Sequence, residues 1–221
     1  MDEWHDLDAD ELAFVTRVKR DHVFEPGEVI FHQGAPCDGM YWVRTGLTGE
    51  RRLDPDGEMA LVRLGYAGGA LGYQELLTGK PYRNSAEALK RTATCYLSHA
   101  AIRELLDRNT KLRDRFLQRC VRDHEKTEKN LVAALNRGVR TRFLYALLKL
   151  YERYGQFVTG KGHILELPIA RKDLAALVGT GPESISRTIR KLERDRIASF
   201  DGRTVFFPDL GAVQDEIHNV G

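Results

Sequence analysis

Cysteine is scarce in this chain of 221 residues, with only Cys37, Cys95 and Cys120 standing far apart. An odd number of scattered thiols argues against a disulfide framework and supplies no CxxC pairs for a metal, so buried, inert thiols are expected. Long apolar runs are missing too. Although 42% of residues are hydrophobic, no stretch approaches the roughly 20 that cross a bilayer, and no membrane partner is expected. The opening MDEWHDLDADEL is acidic and lacks the basic and apolar regions of a secretory leader, which predicts a cytoplasmic protein. No Walker loop, HExxH or G-x-S-x-G elbow is present, no carboxylate pair stands out, and Tyr73 with the nearby His residues forms no recognisable triad, so an enzyme is not expected.

Charge is abundant but nearly balanced, with 34 Lys and Arg against 32 Asp and Glu. Position matters more than the total. From Arg137 to Gly221 there are 14 basic and 10 acidic residues, a net of +4, which leaves −2 on the preceding segment and turns the C-terminal part toward polyanions. The length suits two modest domains joined by a connector.

From about Val23 to Leu97, short β-rich runs (EVIFHQG, MYWVRTG, LTGERRL, MALVRLG and TCYLS) are broken by glycine and by turns at Pro26-Gly27, Pro55-Asp56-Gly57 and Gly68-Gly69. Their spacing predicts a small antiparallel barrel or sandwich. A short helix is expected before it, where a capping Asp precedes Leu12, Val15 and Val18. Between Ala100 and Leu135 neither Gly nor Pro occurs, which allows one helix ending near Asn109 and a long one after it. Along the long helix Leu117, Val121, His124, Glu128, Leu131 and Leu135 follow a 4-3-4-3-4 spacing, the seam of a coiled coil, so a homodimer is expected. Polar His124 and Glu128 in mid-seam would lower its stability and favour two nearly balanced packings.

After Gly138 comes an amphipathic helix closed at Gly155 in the manner of a C-cap, then a β-type run GHILELPI. Two helical segments, RKDLAALVG and PESISRTIRKLERDRI, follow around a Gly179-Thr180-Gly181 turn, and Asp201-Gly202 separates two β-rich arms. That order of elements is a winged helix-turn-helix. In its second helix Glu183, Ser186 and Arg187 share a face near the N-terminus, where Arg187 can donate twice to guanine, Glu183 can accept from an exocyclic amine, and Ser186 adapts to either. Ile185, Ile189 and Leu192 should pack inward. Arg171, Ser184, Arg190, Lys191, Gly202 and Arg203 are the candidates for phosphate contacts.

Over nearly its whole length the chain resembles the CRP/FNR family of bacterial regulators. F-x-P-G-E-x-I-F-x-x-G (Phe24 to Gly34) and Y-x-V-x-x-G (Tyr41 to Gly46) are similar to the opening of that family's cyclic-nucleotide-binding-type β-roll, and E-S-I-S-R (Glu183 to Arg187) matches the FNR-like E-x-x-S-R pattern. The cAMP-receptor branch has Arg where this chain has Pro182. The resemblance thus implies an α+β protein with a β-roll sensor over residues 1–110, a dimerisation helix over 111–137 and a winged helix-turn-helix over 138–221. It also implies half-sites close to TTGAT, inverted as TTGAT and ATCAA, and RNA polymerase as a partner.

For the effector the resemblance implies a pocket including Gly72, Tyr73, Glu75, Arg83, Ser85, Thr127 and Glu128. The family pattern is Gly-Glu followed by Arg-Ser-Ala, with Glu on the ribose and Arg on the phosphate. Here Tyr73 follows the Gly, and Asn84 separates Arg83 from Ser85, which argues against ordinary cAMP binding. Thr127 matches a base-contacting position, and Glu128 after it brings an extra charge that must be paired or solvated. An iron–sulfur cluster would need cysteines before Cys37, and there are none. Haem stays open through His22, His32, His99 and His124, as do an unidentified small molecule, thiol oxidation and control by expression level alone. A cyclic-nucleotide or haem-dependent sensor is thus one alternative, and a nucleotide-binding module acting on a protein partner is another.

Overall fold

The computed structural model describes residues 7–53, 55–57, 59–160 and 162–218. The acidic opening through Asp6 lies outside the described residues. The chain divides into two compact units, Met1–Thr127 and Glu128–Gly221. The long helix, Thr110–Asn136, crosses the division between them.

The first unit opens with α1 (Ala9–Val18), whose start is fixed by a capping box: Asp8 accepts from the Glu11 amide while Glu11 accepts from the Asp8 amide. Eight strands follow: β1 (Arg20–Phe24), β2 (Val29–Phe31), β3 (Gly39–Thr45), β4 (Leu47–Leu53), β5 (Met59–Tyr66), β6 (Ala70–Leu71), β7 (Ser85–Ala88) and β8 (Thr92–Ser98). They form two antiparallel sheets, ordered β1-β8-β3-β6 and β2-β7-β4-β5. The expected runs became β2, β3, β4, β5 and β8. β1 and β7 escaped the sequence reading because RDHVF and SAEA show little apolar alternation; they are held by ladders to distant partners.

Between β6 and β7 lies α2 (Tyr73–Thr78), and α3 (His99–Arg108) and α4 (Thr110–Asn136) come after β8. Helices and sheet share one core in which Met40, Trp42, Tyr73, Leu97, Ile102, Leu105, Leu112 and Phe116 are buried. Each such Leu or Phe contributes about 1.5–3 kcal/mol of burial.

The second unit contains α5 (Val139–Tyr154), β9 (Gly155–Val158), β10 (Gly162–Glu166), α6 (Arg171–Val178), α7 (Pro182–Arg194), β11 (Ser199–Asp201), β12 (Thr204–Phe207) and α8 (Leu210–His218). Its sheet runs β11-β12-β10-β9. Gly155 does end α5, but in an extended conformation (φ −76°, ψ 157°), because the chain turns straight into β9 instead of reversing through a left-handed cap. β9 and α8 were not foreseen. In the wing Asp201 pairs with Thr204, so the turn is Gly202-Arg203 and Asp201 belongs to the strand. Gly202, with φ +57°, supplies the left-handed conformation that such a turn requires.

Candidate nucleic-acid interface and effector cradle

The helix-turn-helix is built from three local decisions. Gly179 ends α6 in the left-handed conformation (φ +69°), where its own amide and that of Thr180 close the helix. Pro182 occupies the first turn of α7, where no amide donor is needed. Ile185, Thr188, Ile189 and Leu192 are then buried, so the opposite side of the same helix must face solvent.

On that side Glu183, Ser186, Arg187, Arg190 and Lys191 are all exposed. Glu183 and Arg187 approach to 3.7 Å with 92% and 71% of their side chains exposed, a loose pair worth little and easily exchanged for another partner. Ser186 donates to the Pro182 carbonyl at 3.0 Å, which orients its hydroxyl and leaves the oxygen as an acceptor. The three candidate base-reading residues are thus brought together at the start of α7.

The phosphate candidates divide into two groups. Arg190 and Lys191 continue the exposed face of α7, whereas Ser184 is half-buried and its carbonyl accepts from Thr188. Arg171 donates to the Gly202 carbonyl at 2.9 Å, and Arg203 donates twice to the Leu167 carbonyl, at 2.9 and 3.1 Å. These two arginines therefore hold the wing against the entrance of α6, in addition to any contact made with DNA. Elsewhere in the unit, Arg140 pairs with Asp195 and Glu216, both at 2.7 Å, tying α5 to the end of α7 and to α8. Arg194 and Arg140 together hold the Asp195 carboxyl below the usual carboxylate range.

The β-roll has a polar cradle of different character. Arg63 on β5 donates to Glu50 on β4 at 2.7 Å and to Asp123 on α4 at 2.8 Å. Tyr73 on α2 also donates to Asp123, at 2.7 Å, and Asn84 donates to the second oxygen of Glu50 at 3.0 Å. Burial works against the Arg63 charge, but Glu50 and Asp123 more than offset it and raise the guanidinium further. Burial, with the bond to Asp123, likewise raises the Tyr73 phenol.

Of the expected pocket residues, Gly72 caps the start of α2 and Tyr73 enters this cluster. Glu75 and Arg83 pair with each other at 2.6 Å, and Gln74 also accepts from Arg83. Ser85 accepts from the Gln33 amide, and Thr127 donates to the Asp123 carbonyl. Glu128 is exposed at the start of the second unit. Sequence reasoning missed Glu50, Arg63 and Asp123. For Glu50 and Arg63 the one signal was charge in strands that also carry apolar residues, and Asp123 is one of many charges on α4; they lie 13 and 60 positions apart, beyond any motif.

On α4 the seam candidates Leu117, Val121, Leu131 and Leu135 are 64%, 49%, 58% and 74% exposed, and His124 and Glu128 are exposed beside them. The thiols of Cys37, Cys95 and Cys120 are half-buried, and burial raises all three. Among the described residues no group of three or more His, Cys, Asp or Glu is arranged for a metal ion, and no helix is long and apolar enough to cross a membrane.

Residues 21–109 match the family model for the cyclic nucleotide-binding domain, and residues 141–215 match that for the Crp-like helix-turn-helix domain. The chain is 28% identical over 188 residues to the nitrogen fixation regulation protein FixK of Bradyrhizobium diazoefficiens, covering 85% of this chain and 78% of that protein. It is 29% identical to FixK of Rhizobium meliloti, over 82% of this chain and 80% of the relative. In fold it is similar to FixK2 from Bradyrhizobium japonicum (TM-score 0.74, 20% identity, 92% of this chain and 97% of that one). It is likewise similar to the CRP-family regulator TTHB099 from Thermus thermophilus (TM-score 0.75, 23% identity, 89% and 96%). A cyclic-nucleotide-binding-type β-roll followed by a winged helix-turn-helix, with regulators and no enzymes among these relatives, places the chain in the CRP/FNR family of DNA-binding bacterial transcription regulators.

Proposed function

We propose that this regulator acts in the cytoplasm as a homodimer on a palindrome of TTGAT and ATCAA half-sites, with RNA polymerase as its protein partner. Glu183, Ser186 and Arg187 read base edges, while Arg190 and Lys191, with Ser184, Arg171, Gly202 and Arg203, set the register on the phosphates. The carrying observation is the one-sided burial of α7, which leaves the acid, hydroxyl and guanidinium together in solvent at the helix start. Dimerisation is supported by the exposed apolar stripe of α4, which a second copy would cover in coiled-coil fashion.

Gel-shift competition between the TTGAT palindrome and a TGTGA-type palindrome tests the specificity. Preference for the former is expected because Pro182 stands where a guanine-reading Arg would otherwise be. Preference for the latter, or a monomer by sedimentation, overturns the corresponding part of the reading.

A further inference from the structure

The domain model matched by residues 21–109 implies a cyclic nucleotide, and the cradle is where it would have to fit. Such a ligand brings a phosphate, which needs an available cation or several donors. Arg63 is already held between the carboxylates of Glu50 and Asp123, at 2.7 and 2.8 Å. Arg83 is engaged by Glu75, and Arg119 by the Gly68 carbonyl. Tyr73 and Asn84, at the two positions where the family pattern has its ribose-binding Glu and phosphate-binding Arg, are bonded to Asp123 and Glu50 respectively. A phosphate entering here would meet two carboxylates shared by one guanidinium, in a site where Glu50 is only 4% exposed. Like charges brought together at low exposure repel strongly. The residues present do not fit the nucleotide.

They do fit one another. Glu50 and Arg63 face each other across β4 and β5, Tyr73 comes from α2, and Asp123 comes from α4. One connected cluster thus ties the β4–β5 hairpin and the α2 segment to the stretch of α4 within the same unit. We infer that this internal Glu50–Arg63–Asp123–Tyr73 cluster takes the place of a cyclic nucleotide in holding the β-roll to its long helix, so that the chain engages DNA without one. The inference rests on the reading of the protein as a dimeric DNA binder.

The test uses the full-length purified protein and a fluorescent duplex carrying the palindrome, with and without millimolar cAMP or cGMP. Wild-type protein is expected to bind without nucleotide, and added nucleotide to change the affinity less than about twofold. Asp123→Asn is expected to lower duplex affinity about five- to tenfold, within the range of known couplings between sites. It should also speed amide exchange across residues 119–127 while preserving a cooperative melt. Tyr73→Phe removes a single bond from the same carboxylate and should move both readouts in the same direction by less, which keeps the test valid should Asp123→Asn fold poorly. If wild type binds only when nucleotide is added, the inference fails and the DNA reading stands. Wild-type affinity and exchange in both variants would also overturn the inference alone. Failure to bind any duplex at low salt removes both.

Discussion

Two of the ion clusters in this molecule are built from similar residue types and differ in almost every other respect. Glu183 and Arg187 sit four residues apart on one helix, 3.7 Å from each other and largely in water. Glu50, Arg63 and Asp123 come from three elements, meet at 2.7–2.8 Å, and include a carboxylate with 5% side-chain exposure. The difference teaches where a charge is available. An exposed, loosely paired charge loses little on exchanging its partner for a base edge, whereas a buried, tightly paired one would have to break several bonds before serving a ligand.

The largest effect expected from breaking this contrast is in stability. Arg63→Met leaves Glu50 buried without its guanidinium and should destabilise the first unit by about 3 kcal/mol, within the range for a broken buried pair. Denaturant melts of the variant would show it, and a midpoint equal to wild type would mean that the cluster is wetter than its geometry indicates. Arg187→Ala should do the reverse, leaving the melt unchanged and costing about 2 kcal/mol of affinity for the preferred palindrome, with relaxed discrimination at one base pair. Fluorescence anisotropy on matched and mismatched duplexes reads both quantities. By comparison, Arg190→Ala should weaken all duplexes alike and reduce the slope of affinity against salt by about one counterion.

Smaller effects sharpen the contrast between local and assembled features. Asp8→Ala removes one half of the α1 capping box and should cost about 1 kcal/mol, measurable as a shift of the denaturation midpoint. The thiols give a pH test. Because burial raises Cys37, Cys95 and Cys120, less thiolate is present near neutrality than in an unfolded chain. Alkylation by iodoacetamide should therefore be slow at neutral pH, faster as the pH rises, and faster still in denaturant. Rapid labelling of the native protein at neutral pH would restore thiol oxidation as a sensing chemistry.

Legibility followed the same division. The turn at Gly179, the helix start at Pro182 and the buried Ile185, Ile189 and Leu192 are decided within a few residues, so α6, α7 and the wing could be placed from periodicity and turn chemistry. The wing turn was misplaced by one residue because Asp-Gly and Gly-Arg both suit a tight turn, and only the Asp201–Thr204 pairing chooses between them. β1 and β7 carry weak patterns of their own and exist because β8, β2 and β4 offer them hydrogen-bonding edges from distant parts of the chain. In the β-roll the Phe24–Gly34 and Tyr41–Gly46 motifs mark turns and strands and say nothing of what the cradle holds.

The order of residues alone determined the five stronger strands of the β-roll, the helix-turn-helix, the polar face of α7 and the apolar stripe of α4, because each depends on spacings of two to four positions that the backbone converts directly into a face. Only the tertiary structure decided that Glu50, Arg63, Tyr73 and Asp123 neutralise and bond one another. Their meeting depends on how two sheets and a helix pack, and pairing across 13, 50 and 60 positions leaves no periodic trace in the chain.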